Sequence, residues 1–394
     1  MVSDRVENMK PSATSTFAGR ILELRTAGVD IASFNVGEPD FPTPEKIVRA
    51  CEEALTDGRT KYTAIGGIPE LRRAIARKLE KDNSIFAQPD QICVTVGAKQ
   101  AVYNAVLALC NEGDEVIIPT PCWVSYVEMV KLAGGVPVLV PTGEGHHLDL
   151  PKIAGACSGK TKLIILNSPN NPTGAVYTGE ELASLARLAL EHNFYVISDE
   201  VYEKLLYGEA RHISIASLSP EIADKTVTVN GFSKAYSMTG WRLGYAAGPK
   251  EIIRAMISLQ GHETANATAF VQYAAVTALQ ECGEEVEAMR QAFEQRRDAM
   301  LRLLLAMPGI TCEKPDGAFY LLPDVSAYFG KSGGGRVIST SGDLCEYLLD
   351  EAHVAVVAGA AFEAPNCLRI AYAASMETIT EGMARMERAL GKLH

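Results

Sequence analysis

Residues 230–244, NGFSKAYSMTGWRLG, determine how this sequence is interpreted. They lie between two β-rich runs, TVTVNG from Thr226 and LGYAAG from Leu243. The connection between these runs is too short for a helical crossover, so we expect one antiparallel strand. Lys234 falls in the small, polar, glycine-rich turn that follows the first run. Partial desolvation in such a turn favours the neutral form of the lysine amine.

Five further β-rich runs precede this segment. Most of the runs are near-continuous apolar stretches, as expected for strands buried on both faces. Helical patterns separate several of them, for example over residues 180–193. The pattern predicts an α/β fold with a mostly parallel, seven-stranded sheet flanked by helices. The five runs are ICVTVG from Ile92, EVIIPT from Glu115, VPVLVP from Val136, LIILNS from Leu163 and FYVISDE from Phe194.

The rest of the chain predicts a smaller α+β domain. Residues 261–305 have a helical pattern that is polar on one face, which predicts one long helix leaving the large domain. A C-terminal helix is predicted at the end of the chain, and residues 36–41 resemble a linker strand. Short strands are predicted over 318–322, 354–357 and 368–372.

We therefore predict three parts. Residues 1–44 form an N-terminal arm and part of the small domain, and residues 45–290 form the large α/β domain. Residues 291–394 form the small C-terminal α+β domain.

The composition argues against several classes of protein. The 394-residue chain is 47% hydrophobic and 22% charged, which is enough for a sizeable core. Its net charge of -11 without a basic block disfavours nucleic acid and anionic membranes. The sequence shows no signal peptide and no apolar stretch long enough to span a membrane. Nine cysteines without a CxxC pair fit reduced thiols in a cytoplasmic protein, and no metal site is expected.

Lys234 and Arg242 are the first candidate functional pair. A neutral lysine amine is the form that makes a Schiff base with an aldehyde. Arg242 lies eight residues later, and it is well placed to bind a phosphate in the same pocket with two hydrogen bonds. Taken alone, the pattern also fits a surface lysine and an arginine in an ordinary ion pair.

Polar residues follow two other predicted strands. Asp199 lies at the end of the run from Phe194, and ligands of open α/β sheets bind at the carboxyl ends of strands. An aspartate there can hold a protonated pyridine nitrogen, although it could also be a helix N-cap. Tyr202, three residues on, and Asn171, in the turn after the run from Leu163, could reach a phenolic oxygen on such a ring.

Two weaker signals fall at the same edge. Gly97, Ala98 and Lys99 join the first strand to a helical run, and backbone N–H groups at a helix start suit a phosphate. Trp123 lies after the run from Glu115, where its ring could stack on a pyridine ring. A lone tryptophan is more often part of the core, so this assignment depends on the other residues.

In this order the motifs resemble those of fold-type-I pyridoxal-phosphate enzymes of the class I and II aminotransferase family. The resemblance runs from MKPSAT at Met9 to CLRIAY at Cys367. It is closest to bacterial aspartate aminotransferases of the subgroup that includes prephenate aminotransferases. It implies transfer of an amino group, with pyridoxal 5'-phosphate as cofactor, between L-aspartate or glutamate and a 2-oxo acid such as 2-oxoglutarate.

The resemblance implies a role for each candidate residue. Lys234 is implied to bind the cofactor and shuttle the proton, and Asp199 is implied to pair with the pyridine nitrogen. The other implied cofactor contacts are Tyr202 and Asn171 at the phenolic oxygen, Trp123 on the ring, and Ala98, Lys99, Ser233 and Arg242 at the phosphate. The implied substrate contacts are Arg369 and the backbone of Gly37 at the α-carboxylate, with Trp123 and Asn171 beside them.

The resemblance also implies a homodimer with shared active sites, because Tyr62 would reach the phosphate bound by the other subunit. The sequence departs from the family pattern at one position. Some members have a phosphate-binding serine three residues before the lysine, where this chain has Gly231. The phosphate would therefore depend on Ser233, Arg242 and backbone amides.

Substrate preference stays open between an aspartate and a prephenate or aromatic aminotransferase. A dicarboxylic substrate needs a second cation, for which Lys99 is the first candidate and Lys10 the second. Lys99 could instead contact the phosphate or lie at the surface, and Lys10 could be a solvated charge. A carbon–sulfur lyase would use the same fold. A cofactor-binding regulator is disfavoured because no DNA-binding domain is added, and a structural role leaves Asp199, Lys234 and Arg369 unexplained.

Overall fold

The computed structural model describes residues 2, 3, 7, 9 and 18–394. Within this part of the chain the strands, in sequence order, are β1 (Ala32–Ser33), β2 (Ile92–Thr95), β3 (Glu115–Thr120), β4 (Val136–Pro141), β5 (Thr161–Asn167), β6 (Tyr195–Asp199), β7 (Thr226–Gly231), β8 (Gly244–Ala247), β9 (Tyr320–Leu321), β10 (Ser332–Gly333), β11 (Arg336–Val337), β12 (Val354–Ala355), β13 (Val357–Ala358) and β14 (Leu368–Ala371).

The helices of the described residues complete the element order. They are α1 (Ala18–Thr26), α2 (Glu45–Thr56), α3 (Pro69–Asn83), α4 (Ala98–Leu109), α5 (Ser125–Leu132), α6 (Leu150–Ala156), α7 (Gly179–Glu191), α8 (Pro220–Ala223), α9 (Lys250–Glu263), α10 (Ala269–Glu281), α11 (Gly283–Leu305), α12 (Ser341–Ala352) and α13 (Met376–Leu390).

The central sheet contains the seven predicted strands, in the order β2-β8-β7-β6-β5-β3-β4. Strands β3 to β7 pair in parallel, whereas β8 is antiparallel to both β2 and β7. The prediction of a mostly parallel sheet with one antiparallel strand is therefore confirmed. The carboxyl ends of β2, β3, β5, β6 and β7 consequently lie at one edge of the sheet.

Helices cover both faces of this sheet, which explains the continuous apolar runs. Leu163 and Ile165 of β5 pack into one core cluster, and Ile164 and Leu166 pack into another on the opposite face. This alternation follows from the two-residue period of a strand. Since neither face meets solvent, both sets of positions are apolar.

The predicted long helix over residues 261–305 is wrong. The chain forms α9, α10 and α11 instead, with breaks at residues 264–268 and at Cys282. Ala265 has a φ of 58°, a left-handed conformation that cannot continue a right-handed helix. The breaks let α10 pack beside the central sheet while Phe293 and Met300 of α11 pack into the core that contains β9 and β14.

The other predicted strands are present but shorter. Strands β13, β14 and β9 form a separate antiparallel sheet, and β1 pairs in parallel with β12. The N-terminal segment thus packs against the C-terminal part of the chain. Residues 36–41 form no strand, so the predicted linker strand is wrong, and the Gly37 carbonyl accepts a hydrogen bond from Lys234 instead. The division at residues 44 and 290 stays a prediction.

None of the helices in the described residues is long and apolar enough to cross a membrane. All nine cysteines fall within the described residues, and none is paired in a disulfide.

Candidate active site

A cavity of about 450 Å³ lies at the carboxyl edge of the central sheet. It brings together residues that are up to 334 positions apart in the sequence, Asn35 and Arg369. The predicted site residues that line it are Gly37, Ala98, Lys99, Trp123, Asn171, Asp199, Tyr202, Ser233, Lys234, Arg242 and Arg369.

Two predicted site residues are not in this set. Tyr62 is 91% exposed in the single chain and does not line the cavity. Its predicted contact with a partner subunit stays a prediction. Lys10 lies outside the described residues, so its predicted contact with substrate also stays a prediction.

Lys234 lies in the turn after β7, and its side chain reaches into the cavity. Its Nζ donates a hydrogen bond to the carbonyl oxygen of Gly37. Burial lowers the pKa of Lys234 to about 8, and the positive charges of Arg369 and Arg242 act in the same direction. Glu38 opposes this shift. A substantial fraction of the amine is therefore neutral just above neutral pH, as nucleophilic attack on an aldehyde requires.

Asp199 is the last residue of β6 and is 4% exposed. Burial raises the pKa of its carboxyl to about 6, while a hydrogen bond from Tyr126 partly opposes that rise. The Tyr126 hydroxyl donates to Oδ2 over 2.7 Å, and the Val201 N–H donates to Oδ1 over 3.3 Å. Turns follow Asp199, so the alternative of a helix N-cap is wrong. A buried carboxylate with only these donors suits a positively charged partner.

Tyr126 was missed in the sequence. It lies on α5, three residues after Trp123, which precedes the helix, and the two rings meet edge to face with centroids 5.3 Å apart. Helical spacing could not have revealed it, because Trp123 lies before the first residue of α5.

Tyr202 and Asn171 lie on the two turns that follow β6 and β5. The Tyr202 hydroxyl lies 2.8 Å from the hydroxyl of Tyr320, on β9. Asn167 links the two turns, since its Nδ2 donates to the Asp199 carbonyl over 3.0 Å and its Oδ1 accepts from the Asn171 N–H over 2.8 Å. Tyr320 was also missed, because β9 is distant in sequence and has no recognisable motif.

A cradle for an anion lies at the start of α4. No described side chain caps this helix, so its first N–H groups are free to face a ligand. Arg242 approaches Gly97 so closely that a Cβ on Gly97 would lie 2.6 Å from Nη2. Gly97 also has a φ of 80°. The guanidinium, the helix start and the nearby Ser233 hydroxyl together fit a phosphate, which is the group that pyridoxal 5'-phosphate requires here.

Arg369 provides a second anion site. It is 2% exposed, and its guanidinium lies between the Tyr320 and Phe362 rings, 4.7 and 4.9 Å from their centroids. Nη2 donates to the Asn35 carbonyl over 2.7 Å, but the buried Nε has no partner among the described groups. An unpaired charged donor is costly, and a carboxylate would satisfy it.

Gly37 allows the chain to pass close to these side chains. A Cβ at this position would lie 2.7 Å from the Tyr320 hydroxyl. Asn35 and Gly37 therefore approach Arg369 and Lys234 through their carbonyl groups.

Lys99 is the remaining cation of the cavity wall. Its Nζ lies 4.8 Å from the centroid of the Trp123 ring, and burial together with Arg242 lowers its pKa. The cavity thus has cations at three points, Arg242, Lys99 and Arg369, although the chain is acidic overall. Such a cavity can bind a phosphorylated aromatic aldehyde and an acid with one or two carboxylates.

Comparisons with known proteins agree with this geometry. The model of the family described as aminotransferase class I and II matches residues 29–386. An aspartate aminotransferase of Geobacillus stearothermophilus is 47% identical, with 98% of each chain covered. A probable aspartate/prephenate aminotransferase of Aquifex aeolicus is 46% identical, with 100% of this chain and 99% of the relative covered. The solved aspartate aminotransferase of Thermus thermophilus with maleate is 44% identical, with 99% of each chain covered and a TM-score of 0.93.

Proposed function

We propose a reaction on the premise that this chain belongs to the class I and II aminotransferase family. The chain transfers the amino group of L-aspartate or L-glutamate to a 2-oxo acid such as 2-oxoglutarate. The cofactor of this family is pyridoxal 5'-phosphate, which, when bound, withdraws the electron pair left on the α-carbon after deprotonation. The observation that supports the substrate class best is the pair of cations, Arg369 and Lys99, in the cavity that contains Lys234.

Lys234 is the proposed proton carrier. Its depressed pKa makes the amine a competent base near neutral pH, and the protonated amine can return the proton as an acid. Asp199 would accept a hydrogen bond from the protonated ring nitrogen, since a buried carboxylate is stabilised most by a cationic neighbour. Tyr126 would keep Asp199 oriented through its 2.7 Å hydrogen bond.

The two ends of the reactants would be fixed by separate anion sites. The start of α4, Ser233 and Arg242 would hold the phosphate, and Tyr202 and Asn171 would face the phenolic oxygen. Arg369 would bind the α-carboxylate with its planar fork. Fixing that carboxylate orients the C–H bond to be broken toward Lys234, which favours proton loss over other bond cleavages.

Lys99 is the proposed partner of the distal carboxylate. The solved Thermus protein is described with maleate, a dicarboxylate, and its chain superposes with a TM-score of 0.93. Lys99 lines the same cavity as Arg369. A charge-assisted hydrogen bond there contributes roughly 1.5–3 kcal/mol, which is about 10- to 150-fold in kcat/KM.

The test compares Lys99→Ala with Lys131→Ala, a surface lysine of α5 paired to Glu128. Turnover of aspartate and glutamate should fall about 10- to 150-fold in Lys99→Ala only, while neutral or aromatic donors lose far less. Equal losses for all donors would show that Lys99 serves the phosphate or the fold. Lys10 would then be tested with the same donors.

A prephenate or aromatic aminotransferase is the second candidate. The aromatic face of Trp123 beside Lys99 favours it, because this wall offers both a ring and a charge to a substrate. The Aquifex relative is named a probable aspartate/prephenate aminotransferase. A panel of aspartate, glutamate and aromatic donors with 2-oxoglutarate, oxaloacetate and prephenate separates the two candidates by their kcat/KM ratios.

The proposed assembly is a homodimer with shared sites, supported by the 91% exposure of Tyr62 in the single chain. Heterodimers of Lys234→Ala with Tyr62→Ala subunits would contain one site with both native residues. Their activity should exceed that of either parent, with the dimer verified by two affinity tags. Activity no higher than the parents' would contradict sharing.

The unpaired cysteines support a cytoplasmic location.

A further inference from the structure

A buried polar cluster lies behind the cavity and takes no part in the chemistry proposed above. We call it the Glu200 cluster, and its members come from α3, from the turn after β6 and from the segment before β7. They are Lys78, Asn83, Glu200, Glu203, His212 and Ser214.

Glu200 is at the centre of the Glu200 cluster and is 0% exposed. Its carboxylate accepts from the Ser198 hydroxyl over 2.8 Å and from the Ser214 hydroxyl over 2.5 Å. His212 Nε2 lies 2.9 Å from Glu200 Oε2, and the His212 side chain is 8% exposed. A buried carboxylate with this many donors is held in one position.

Glu203 completes the Glu200 cluster on the α3 side. Its carboxylate pairs with the Lys78 ammonium and accepts from Asn83 Nδ2 over 2.6 Å. Lys78 thus matches the charge of Glu203, while Glu200 faces His212 Nε2, and the buried His212 Nδ1 has no partner among the described groups. Glu200, Glu203 and His212 have ligand atoms within 4.8 Å of one another, but Lys78 and Asn83 already occupy Glu203. This saturation argues against a metal ion.

The Glu200 cluster alternates along the chain with residues of the cavity. Asp199 and Tyr202 line the cavity, whereas Glu200 and Glu203, each one position later, face the cluster. The segment after β6 is a series of turns and not a regular element. Its backbone is held by hydrogen bonds from the Glu200 N–H to the Val229 carbonyl over 2.8 Å and from the Glu203 N–H to the Glu200 carbonyl over 2.9 Å, and the side-chain contacts of the Glu200 cluster add to these.

We infer that His212 is a positioning residue, which through its ion pair with Glu200 fixes the turn that presents Asp199 and Tyr202 to the cofactor. The inference rests on the assignment of Asp199 and Tyr202 within the proposed function. His212 touches neither substrate nor cofactor, because it does not line the cavity. A loosened turn would misplace both residues by fractions of an ångström, and this affects the chemical step more than substrate binding.

The charge of His212 supports this role. Burial alone would lower its pKa, but Glu200 and Glu203 together raise it above 6.5, with Lys78 opposing. A raised folded pKa means that the ion pair stabilises the fold fully below about pH 6.5 and loses this effect as the pH rises through the folded value.

The test uses His212→Gln, which keeps a side-chain N–H of similar reach but removes the charge. The matched control is His147→Gln, because His147 also pairs with a glutamate, Glu181, at 3.0 Å but is 44% exposed and lies outside the cavity. We expect kcat to fall about 5- to 20-fold and the Kd for pyridoxal 5'-phosphate to rise several-fold in His212→Gln, with the KM for the donor within about two-fold.

A cofactor-free readout separates this inference from the proposed function. The melting temperature of the apoprotein should exceed that of apo His212→Gln at pH 6, and the gap should narrow as the pH is raised. Glu200→Gln/His212→Gln should show about the same kcat as His212→Gln, since the two residues act as a unit. Failure of the substrate assignment would change the donor preference of every variant but leave these melting and cofactor-binding results intact.

Two results would overturn the inference. In the first, His212→Gln would match His147→Gln in kcat, in cofactor Kd and in its melting profile. In the second, zinc would stabilise the native apoprotein but not His212→Gln, which would show a metal site. If His212→Gln does not fold, Ser214→Ala is the substitute, because it removes one hydrogen-bond donor from Glu200. This variant should also lower kcat and leave KM unchanged. An unchanged kcat in Ser214→Ala would count equally against the inference.

Discussion

The residues proposed to hold the cofactor, Asp199 and Lys234 among them, form what we call the cofactor half of the site, and they lie on neighbouring strand ends. The substrate half, which contains Arg369, is assembled from distant parts of the chain. Asp199 ends β6 and Lys234 follows β7, and these two strands are paired in the sheet. Arg369 comes from β14, and it contacts Asn35, 334 residues away. The first half is therefore fixed by one sheet, while the second depends on how the N- and C-terminal parts of the chain pack together.

The two halves also differ in how far their polar groups are satisfied. Asp199 already accepts from Tyr126 and Val201, and Asn167 ties its turn to the next one. Arg369 keeps a buried Nε without a partner among the described residues. The cofactor half is thus preorganised by internal hydrogen bonds, and the substrate half leaves a charged donor for the incoming acid.

The largest effect is expected at Lys234. Lys234→Ala removes both the covalent link to the cofactor and the proton carrier, so turnover should fall about 10⁴-fold or more. Steady-state kinetics with aspartate and 2-oxoglutarate measure it. Lys225→Ala, which removes a surface lysine bonded to Asn193, is the control and should keep full activity. Turnover within about ten-fold of native would break the assignment of the cofactor half.

Arg369→Gln should affect the substrate half alone. Removing the charged fork should lower kcat/KM about 10- to 150-fold, mainly through KM. The Kd for pyridoxal 5'-phosphate, measured by its absorbance on titration into the apoprotein, should stay within about two-fold of native. Equal losses in cofactor and substrate binding would show that the two halves are not separable.

Tyr126→Phe should have a smaller effect, confined to the cofactor half. The variant removes the hydrogen bond that keeps the pKa of Asp199 from rising further. The acid limb of the kcat profile should therefore move to higher pH, and kcat at neutral pH should fall about 2- to 10-fold. The KM for aspartate serves as the internal control. A shift of KM without a shift of the pH profile would contradict this role.

The smallest effect concerns the stability of the apoprotein. The folded pKa of Lys234, about 8, lies below its ordinary value of 10.5, so folding disfavours the charged form. The charged lysine therefore lowers the free energy of unfolding by its full amount below pH 8, and this effect vanishes as the pH rises toward 10.5. Apo Lys234→Met should therefore melt above the native apoprotein at pH 7, with a gap that closes at alkaline pH. A gap independent of pH would point to packing alone.

The same difference between the halves explains what the sequence could predict. Strand ends and the turns after them placed Lys234, Asp199 and Asn171 at one edge, because parallel strands share a direction. Tyr320 and Asn35 have no such local signal, since they reach the cavity only through tertiary packing. The predicted helix over residues 261–305 failed for a related reason. Its apolar pattern is continuous, but Ala265 adopts a left-handed conformation that the pattern does not reveal.

The most direct test of the account is to trap the cofactor on the protein. Reduction of the loaded enzyme with borohydride, followed by proteolysis and mass spectrometry of the peptides, should place the adduct on Lys234 alone. Lys234→Met that has been incubated with pyridoxal 5'-phosphate and treated in the same way should show none. An adduct on Lys99 or on any other lysine, with Lys234 unmodified, would contradict the central claim that the turn after β7 holds the cofactor.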